Sequence, residues 1–264
     1  MKFHLKENLI NSSKLLNDDR DSLIKVLNII ERAVKYYSIE YTSFLSPSTY
    51  VLINDFVIDS NFLITYFGGI NSAERKIAII RPNYESIGYD EIPIMAIEIK
   101  YSEKFANISH RDVLGSLMSL GIKRETIGDI YVHEGFCHIL IKKSIFEYLI
   151  LNFKKIGRNP ITIKEIKFNK IEYKEPNYSL INTTVGSNRL DSIISKGFNI
   201  DRNSSKKKIK MLMVKVNHKV VESAHLTLNE NDLISVKGEG RIILFKINGN
   251  TKKDRLKIVI KKII

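Results

Sequence analysis

The sequence predicts an α+β protein: a small helical N-terminal domain over residues 1–60, a central α/β sandwich over 61–181, and a C-terminal domain over 182–264 built from two short helices and a curved antiparallel sheet. Three observations carry this. Apolar residues recur at helical spacing before residue 60; between 62 and 173 the pattern turns to short strand-like runs with helical stretches among them; and the charge balance changes near 181. The 264 residues are 44% apolar and 27% charged, enough for a real core and contrary to wholesale disorder or a fibrous repeat.

Within residues 21–37, Leu23, Val26, Leu27, Ile30, Ala33, Val34 and Tyr37 follow the i, i+3, i+4, i+7 pattern, with Glu31, Arg32 and Lys35 opposite. Asp18, Asp19 and Asp21 supply the negative charge that a helix start favours. Ser46 then caps a shorter helix that has Pro47 in its first turn and runs to about residue 58. The apolar face of these helices is read as packing against the next domain.

Residues 62–67, 76–81, 94–100, 129–132 and 136–141 are rich in Ile, Val, Tyr and Phe and read as strands. Residues 110–120 and 144–155 are the interleaved helices, the first ended by Gly121, and the run from Val132 to Phe136 makes a hairpin turn. Pro176-Asn177-Tyr178 and Asn182-Thr183-Thr184 read as a polar break, which places the last boundary near 181. Beyond it, residues 189–196 form a short helix with Leu190, Ile193 and Ile194 inward, broken by Gly197. Residues 201–212 form a second, capped by Asp201 and carrying Lys206, Lys207, Lys208 and Lys210. Residues 214–217 and 219–221 alternate as strands about Asn217-His218, and 232–236 and 241–247 add further strands.

The formal charge of +13 is weak evidence by itself, because 31 Lys against 11 Arg, with many Ile and Asn, is the bias of an AT-rich genome. The distribution says more. Residues 182–264 hold 18 Lys plus Arg against 7 Asp plus Glu, net +11, whereas residues 1–181 are near neutral at +2. That asymmetry is the footprint of a module that meets a polyanion. The most apolar stretch, residues 92–99, already contains Glu98 and is far short of the roughly 20 residues that span a bilayer, so no membrane segment is expected. The polar start, Met1 to Asn8, lacks the apolar stretch of a secretory signal, and the expected location is cytoplasmic. A single cysteine, Cys137, excludes an internal disulfide and a Cys-rich metal site.

The C-terminal residues carry a specific resemblance. Arg189-Leu190-Asp191, Asp201-Arg202, the run from Val214 to Val221, Asn231-Asp232-Leu233-Ile234-Ser235-Val236 and Gly238-Glu239-Gly240-Arg241 agree in order and spacing with the RNA-binding domain named after ribosomal protein S-four. Asp201 stands where that family has Ser, and Leu212 where it has Gly, so the tight helix-to-strand turn is expected to differ here. Two further runs, 68–76 and 112–130, resemble the signature of the bacterial YlmH family, a resemblance that covers nearly the whole chain. It implies a helical N-terminal domain, a central domain similar to an RNA-recognition motif and a C-terminal S-four-type αL-like RNA-binding domain. It also implies a monomeric factor that binds rRNA of the large ribosomal subunit blocked by peptidyl-tRNA, with the tRNA as a further partner, in the pathway that adds untemplated alanine tails to stalled chains. Members have also been linked to cell division.

Within that frame Arg189, Arg202, Lys206, Lys207, Lys210, Lys215 and Arg241 are the candidate RNA contacts, neutralising phosphates and reading the shape of folded RNA rather than its bases. Lys123 and Arg124, at the turn after Gly121, are added as an anchor, with an exposed loop as the alternative. Lys208 and Ile209 belong to the turn that faces inward, and Tyr131 and Phe136 are read as core rings ahead of base-stacking ones. No catalytic residue, metal ligand or cofactor is expected: the histidines show no H-E-x-x-H, no Ser lies in G-x-S-x-G, and neither glycine-rich nucleotide fingerprint occurs. His133 and His138 lack a partner at ligand spacing, and Cys137 reads as a buried thiol. The rival readings are a pseudouridine synthase using Asp191, whose usual Thr and Gly after the aspartate are absent here, and an accessory or division factor without a role on stalled ribosomes.

Overall fold

The computed structural model of the protein describes residues 17–54, 60–102 and 108–264. Among these, Asp18–Lys174 and Glu175–Ile264 form two separate units.

In the first unit, α1 (Asn17–Tyr36) buries Leu23, Val26, Leu27, Ile30 and Ala33 of the expected stripe, whereas Val34 is half-buried and Tyr37, past the helix end at φ 49°, is exposed. Its polar side is tied down by Lys25 Nζ, 2.7 Å from Glu125, and by Arg32, which donates twice to Glu40 at 2.6 Å. β1 (Glu40–Tyr41) follows, and α2 (Pro47–Ile53) starts where Ser46 accepts the N–H of Thr49 at 3.3 Å. This helix ends at Ile53, and residues 55–58 of the expected span lie outside the described residues. β1, β2 (Phe62–Phe67) and β3 (Ile77–Pro82) make an antiparallel sheet ordered β1-β3-β2. The pairing of β1 with β3 thus runs across the division expected at residue 60.

A second sheet has the order β5-β6-β4-β8-β7, from β4 (Ile94–Tyr101), β5 (Ile127–Val132), β6 (Phe136–Lys142), β7 (Lys155–Ile156) and β8 (Asn159–Ile166). With α3 (His110–Ser119) and α4 (Phe146–Asn152), the chain runs β4-α3-β5-β6-α4-β8, the split βαβ arrangement that the resemblance implies. Side chains alternate across β4 and β6. Met95, Ile97, Ile99, Cys137, Ile139 and Ile141 pack with Val113 and Leu117 of α3 and Leu149 of α4, whereas Ile94, Ala96 and Leu140 meet Ile77 and Ile79 of the small sheet and Phe44. Both faces are therefore covered in part. The rest of the second face is a cross-strand row, Tyr131, His138, Glu98 and Lys164.

The register of β5 against β6 slips between Ile127 and Ile130, and this bulge is where the two runs that carry the YlmH resemblance meet. Arg124 donates to the carbonyls of Ile127 and Gly128 at 2.6 and 3.1 Å; Arg75 donates to Ile127 at 3.1 Å and to Phe44 at 2.9 Å. The Asp129 carboxylate accepts the backbone N–H groups of Glu74 and Arg75 at 2.6 and 3.2 Å. Burial, with Arg124 nearby, pulls the Arg75 guanidinium down to about 10.

The second unit is a six-stranded antiparallel sheet in the order β11-β10-β12-β13-β14-β9, from β9 (Tyr178–Val185), β10 (Val214–Val216), β11 (Lys219–Val220), β12 (Leu233–Val236), β13 (Gly240–Asn250) and β14 (Leu256–Ile263). α5 (Leu190–Phe198) and α6 (Arg202–Lys210) cover one face, where Leu190, Ile193, Ile194 and Ile209 pack with Val214, Val216, Ile234, Ile242 and Ile260. Three expectations change. Asn182, Thr183 and Thr184 are no break but lie inside β9, paired with Val259, Ile258 and Lys257, so the boundary at 181 falls within a strand; alternate polar residues there sit on a solvated sheet face. Gly197 does not end α5. It is buried within the helix, and a Cβ there would stand 2.4 Å from Ile242 Cδ1, so the glycine admits the sheet; the chain turns out at Asn199, φ 53°. Leu212 keeps the left-handed turn at φ 58°, its N–H donating to Ile209 at 3.0 Å and that of Met213 to Lys208 at 3.1 Å, a Schellman closure in a conformation that costs a non-glycine residue roughly 1–2 kcal/mol.

Gly68 offers a direct test of the joint in the first unit. A Cβ there would lie 2.6 Å from Ala73 Cβ and 2.7 Å from the Arg75 carbonyl, neither able to swing aside. Gly68→Ala is expected to destabilise the first unit by about 1–3 kcal/mol in urea denaturation; wild-type stability would show that the loop is looser than this geometry requires.

Candidate nucleic-acid interface

α6 begins at Asp201, whose Oδ1 accepts the N–H groups of Asn203 and Ser204, both at 2.9 Å. With Ser205 and Ile209 buried, the helix turns Lys207 and Lys210 out to solvent and leaves Lys206 half-buried between them. Arg202, Lys206 and Lys210 are spaced i, i+4, i+8 and so run down one side. Lys208 points elsewhere, its Nζ 3.0 Å from Glu239. Lys206, Lys207 and Lys210 stand within one short helix, an arrangement whose mutual repulsion an anion in front of them would relieve.

Beside this helix lies a clamp. Asp191 has no exposed surface, and its carboxylate accepts from Arg202 Nε at 2.9 Å and Nη2 at 3.3 Å, and from Arg189 Nε at 3.3 Å and Nη2 at 3.2 Å. Burial would raise this carboxyl, but the bonds and charges of Arg202 and Arg189 outweigh it and hold the group below the ordinary aspartate range. The segment after β11 holds the start of α5: the N–H groups of Leu190 and Asp191 donate to Leu226 and Ala224 at 2.9 and 3.2 Å. Arg189 and Arg202, chosen from the sequence as phosphate contacts, thus direct their forks at Asp191, while the Arg202 side chain stays 49% exposed.

Lys215 and Arg241 belong to a different surface. Lys215 pairs with Ser235, and Ser235 with Arg241, in one cross-strand row, while their neighbours Val214, Val216 and Ile242 point into the core shared with α5 and α6. Strand alternation therefore puts both cations on the sheet face away from the helices. Arg124 turns into the bulge of the first unit, where it donates to the carbonyls of Ile127 and Gly128; Lys123 beside it is exposed. The carbonyls of Ile127 and Gly128 converge on Arg124 only once the bulged strand has formed, so the residue types around Arg124 do not mark it as inward. Lys196, exposed in the last turn of α5, was missed because it stands apart from the lysine run. Lys261, also missed, lies on a strand absent from the sequence reading, its Nζ 3.7 Å from the ring centre of Phe245.

The remaining reactive groups are engaged. The N–H of Glu172 donates to His138 Nδ1 at 3.0 Å, so the neutral ring carries its proton on Nε2, which faces Glu98 at 3.4 Å. Burial lowers the pKa of this histidine, against the pull of Glu98. Cys137 is fully buried and pushed up to about 12 by desolvation. Tyr131 donates to Asp129 and meets Tyr173 edge-on; Phe136 stacks on His133 with ring centres 4.8 Å apart. Among the described residues, no helix is long and apolar enough to cross a membrane, and no group of three or more His, Cys, Asp or Glu is placed to hold a metal ion.

Comparison with known proteins places this geometry. Residues 89–170 match the family described as "Putative RNA-binding domain in YlmH". The chain is 28% identical over 245 residues, 93% of its length and 95% of the relative's, to the ribosome-associated protein quality control protein P2 of Bacillus subtilis. A solved structure named cell division protein ylmH, from Streptococcus pneumoniae, superposes with a TM-score of 0.51 at 28% identity, covering 61% of this chain and 99% of that one. The similarity to YlmH read from residues 68–76 and 112–130 is thus found again by three separate comparisons.

The clamp makes a prediction about stability. Asp191→Asn removes the counter-charge from two partly exposed arginines and should cost about 2 kcal/mol at pH 7, less than a fully buried pair because the guanidiniums regain water. Because the folded-state pKa lies below the unfolded one, the carboxylate's contribution is present above about pH 4 and fades as pH falls through the folded value. Denaturation at pH 7 and at pH 2 should show a wide gap between wild type and variant closing in acid; a gap that stays constant would refute the ionic role.

Proposed function

We propose that this chain is a non-enzymatic RNA-binding factor that associates with the large ribosomal subunit when peptidyl-tRNA obstructs it, within the quality-control pathway that adds untemplated alanine tails to stalled chains. The observation that carries this reading is the outward lysine side of α6, held at a fixed roll by the Asp191 clamp in a region of net charge +11. The match to an RNA-binding domain and the name of the Bacillus subtilis relative support the ribosomal setting. Phosphate contact of this kind reads the shape and charge of folded RNA, which suits a rigid target such as rRNA. The pseudouridine-synthase reading loses support from the same clamp: Asp191 is sealed from solvent and fully occupied by two guanidiniums. A division-linked role draws on the family resemblance and on the name of the Streptococcus pneumoniae protein, with no feature of the site behind it.

Titration of purified large subunits, with and without bound peptidyl-tRNA, at several salt concentrations tests this reading. Replacing Lys206, Lys207 and Lys210 together by Ala should make the slope of log K against log salt shallower by about 2–3, at roughly 0.7–0.9 per lost phosphate contact. Equal slopes for variant and wild type would mean that α6 does not face the RNA, and equal affinity for obstructed and empty subunits would remove the stalled-ribosome part of the proposal.

A further inference from the structure

The sheet of the first unit has the strand order of an RNA-recognition motif, yet half of the face on which such sheets stack bases is closed. Ile94, Ala96 and Leu140 lie beneath Ile77 and Ile79 of the β1-β3-β2 sheet. Where β2 ends and β8 gives way to the next turn, at the rim of this cover, a cleft of about 790 Å³ opens. Four aromatic residues line it, Tyr66, Phe67, Tyr89 and Phe168. Phe67 stands 5.6 Å from Tyr89 and 5.3 Å from Phe168 between ring centres, and Tyr89 is 72% exposed. Lys76 and Lys167 add positive charge, Asn71 adds an amide, and no carboxylate belongs to the lining. Part of the lining is Gly68-Gly69, where the chain passes so close to the sheet that a Cβ on Gly69, at φ 83°, would run into Leu140 Cδ2 at 2.5 Å. The glycine pair that matches no nucleotide fingerprint therefore forms one side of a built cleft.

We propose that this cleft takes one unpaired nucleotide of an RNA chain, its base against the rings of Tyr89 and Phe67 and its phosphate toward Lys76 and Lys167. The exposed ring of Tyr89, with Phe67 tilted 54° against it, offers an apolar face to a planar ring, the two ammonium groups select an anion on the same molecule, and Asn71 can both donate to and accept from a base edge. The volume is within the range of small-ligand sites and accommodates a nucleotide with its hydration. Tyr89, Lys167 and Phe168 lie in the stretch matched to an RNA-binding domain, so the inference rests on the RNA-binding reading and gives the first unit a contact of its own, for single strands rather than folded duplex.

The test uses the full chain and a fluorescein-labelled single-stranded ten-nucleotide RNA of U and C, read by anisotropy, with a blunt-ended RNA duplex alongside. Tyr89→Ala with Lys167→Ala alters two exposed side chains and should weaken the single strand roughly tenfold while leaving the duplex unchanged; Tyr89→Phe with Lys167 intact should restore binding. Ultraviolet cross-linking of the same oligonucleotide should mark the peptide containing Tyr89 or Phe168. If the double variant binds like wild type while the α6 lysine variant is weakened, the cleft assignment fails and the RNA-binding reading stands. If neither variant changes binding to any RNA, both fail together. Competition by uridine monophosphate as effective as that of the oligonucleotide would assign the cleft to a free nucleotide and overturn its assignment to RNA.

Discussion

A carboxylate without exposed surface must find its counter-charges inside the protein, since an unpaired buried charge costs several kcal/mol. Asp191 meets that demand with Arg189 just ahead of α5 and Arg202 at the first turn of α6, and in doing so it locks the two helix starts together. The roll of α6 follows, with Ser205 and Ile209 inward and the lysine side outward. The charge pattern of the surface is thus set from beneath by an acidic residue. In the first unit a half-buried carboxylate is held by neutral donors instead: Asp129 gathers the backbone N–H groups of Glu74 and Arg75, while the guanidiniums of Arg75 and Arg124 take carbonyls at the β-bulge.

Most residues that carry the family resemblance turn out to hold the fold. Asp191 and Arg202 make the clamp; Asn217 Nδ2 donates to Asp232 at 2.8 Å and its Oδ1 accepts from Leu233 N–H, joining two motif pieces across a turn in which Asn217 and His218 both have positive φ. Gly68 and Gly128 sit where a side chain would collide with neighbours. The motifs identify a scaffold, and what the scaffold does is decided by the surfaces that it presents. Those surfaces are distinct: lysines on the helix side of the second unit, Lys215 and Arg241 on its opposite sheet face, and a ring-lined cleft in the first unit.

Local periodicity is enough to find α1, α3, α6 and strands β2 to β6, because each buries one stripe or alternate residues and is bounded by its own capping or turn residues. β9 and β14 escape it because their pairing joins segments far apart in sequence, and the consecutive Asn182, Thr183 and Thr184 of β9 break the alternation and read as loop. Gly197 reads as a helix end since its actual role, making room for Ile242, depends on a strand more than forty positions away. The cations divide along the same line. Exposure of Lys207 and Lys210 follows from helix period and cap, whereas the inward turn of Arg124 and the commitment of Arg189 and Arg202 depend on acceptors that only the folded chain assembles. The basic excess locates the module, and burial then decides which of its charges face water.

The strand pair β9 and β14 bears on the order in which this protein can be made. β9 leads the second unit and β14 closes it, with eight paired positions between them and every helix and strand of the module synthesised in the interval. Until β14 leaves the ribosome, β9 lacks the strand that it pairs with, and the segment carrying Tyr178 and Leu180 has unpaired edges of the kind that recruit other chains. The unit therefore cannot mature gradually from its N-terminal side. A nascent copy halted before residue 256 presents an unfinished sheet, which makes this protein, during its own synthesis, the sort of incomplete product that quality control exists to remove.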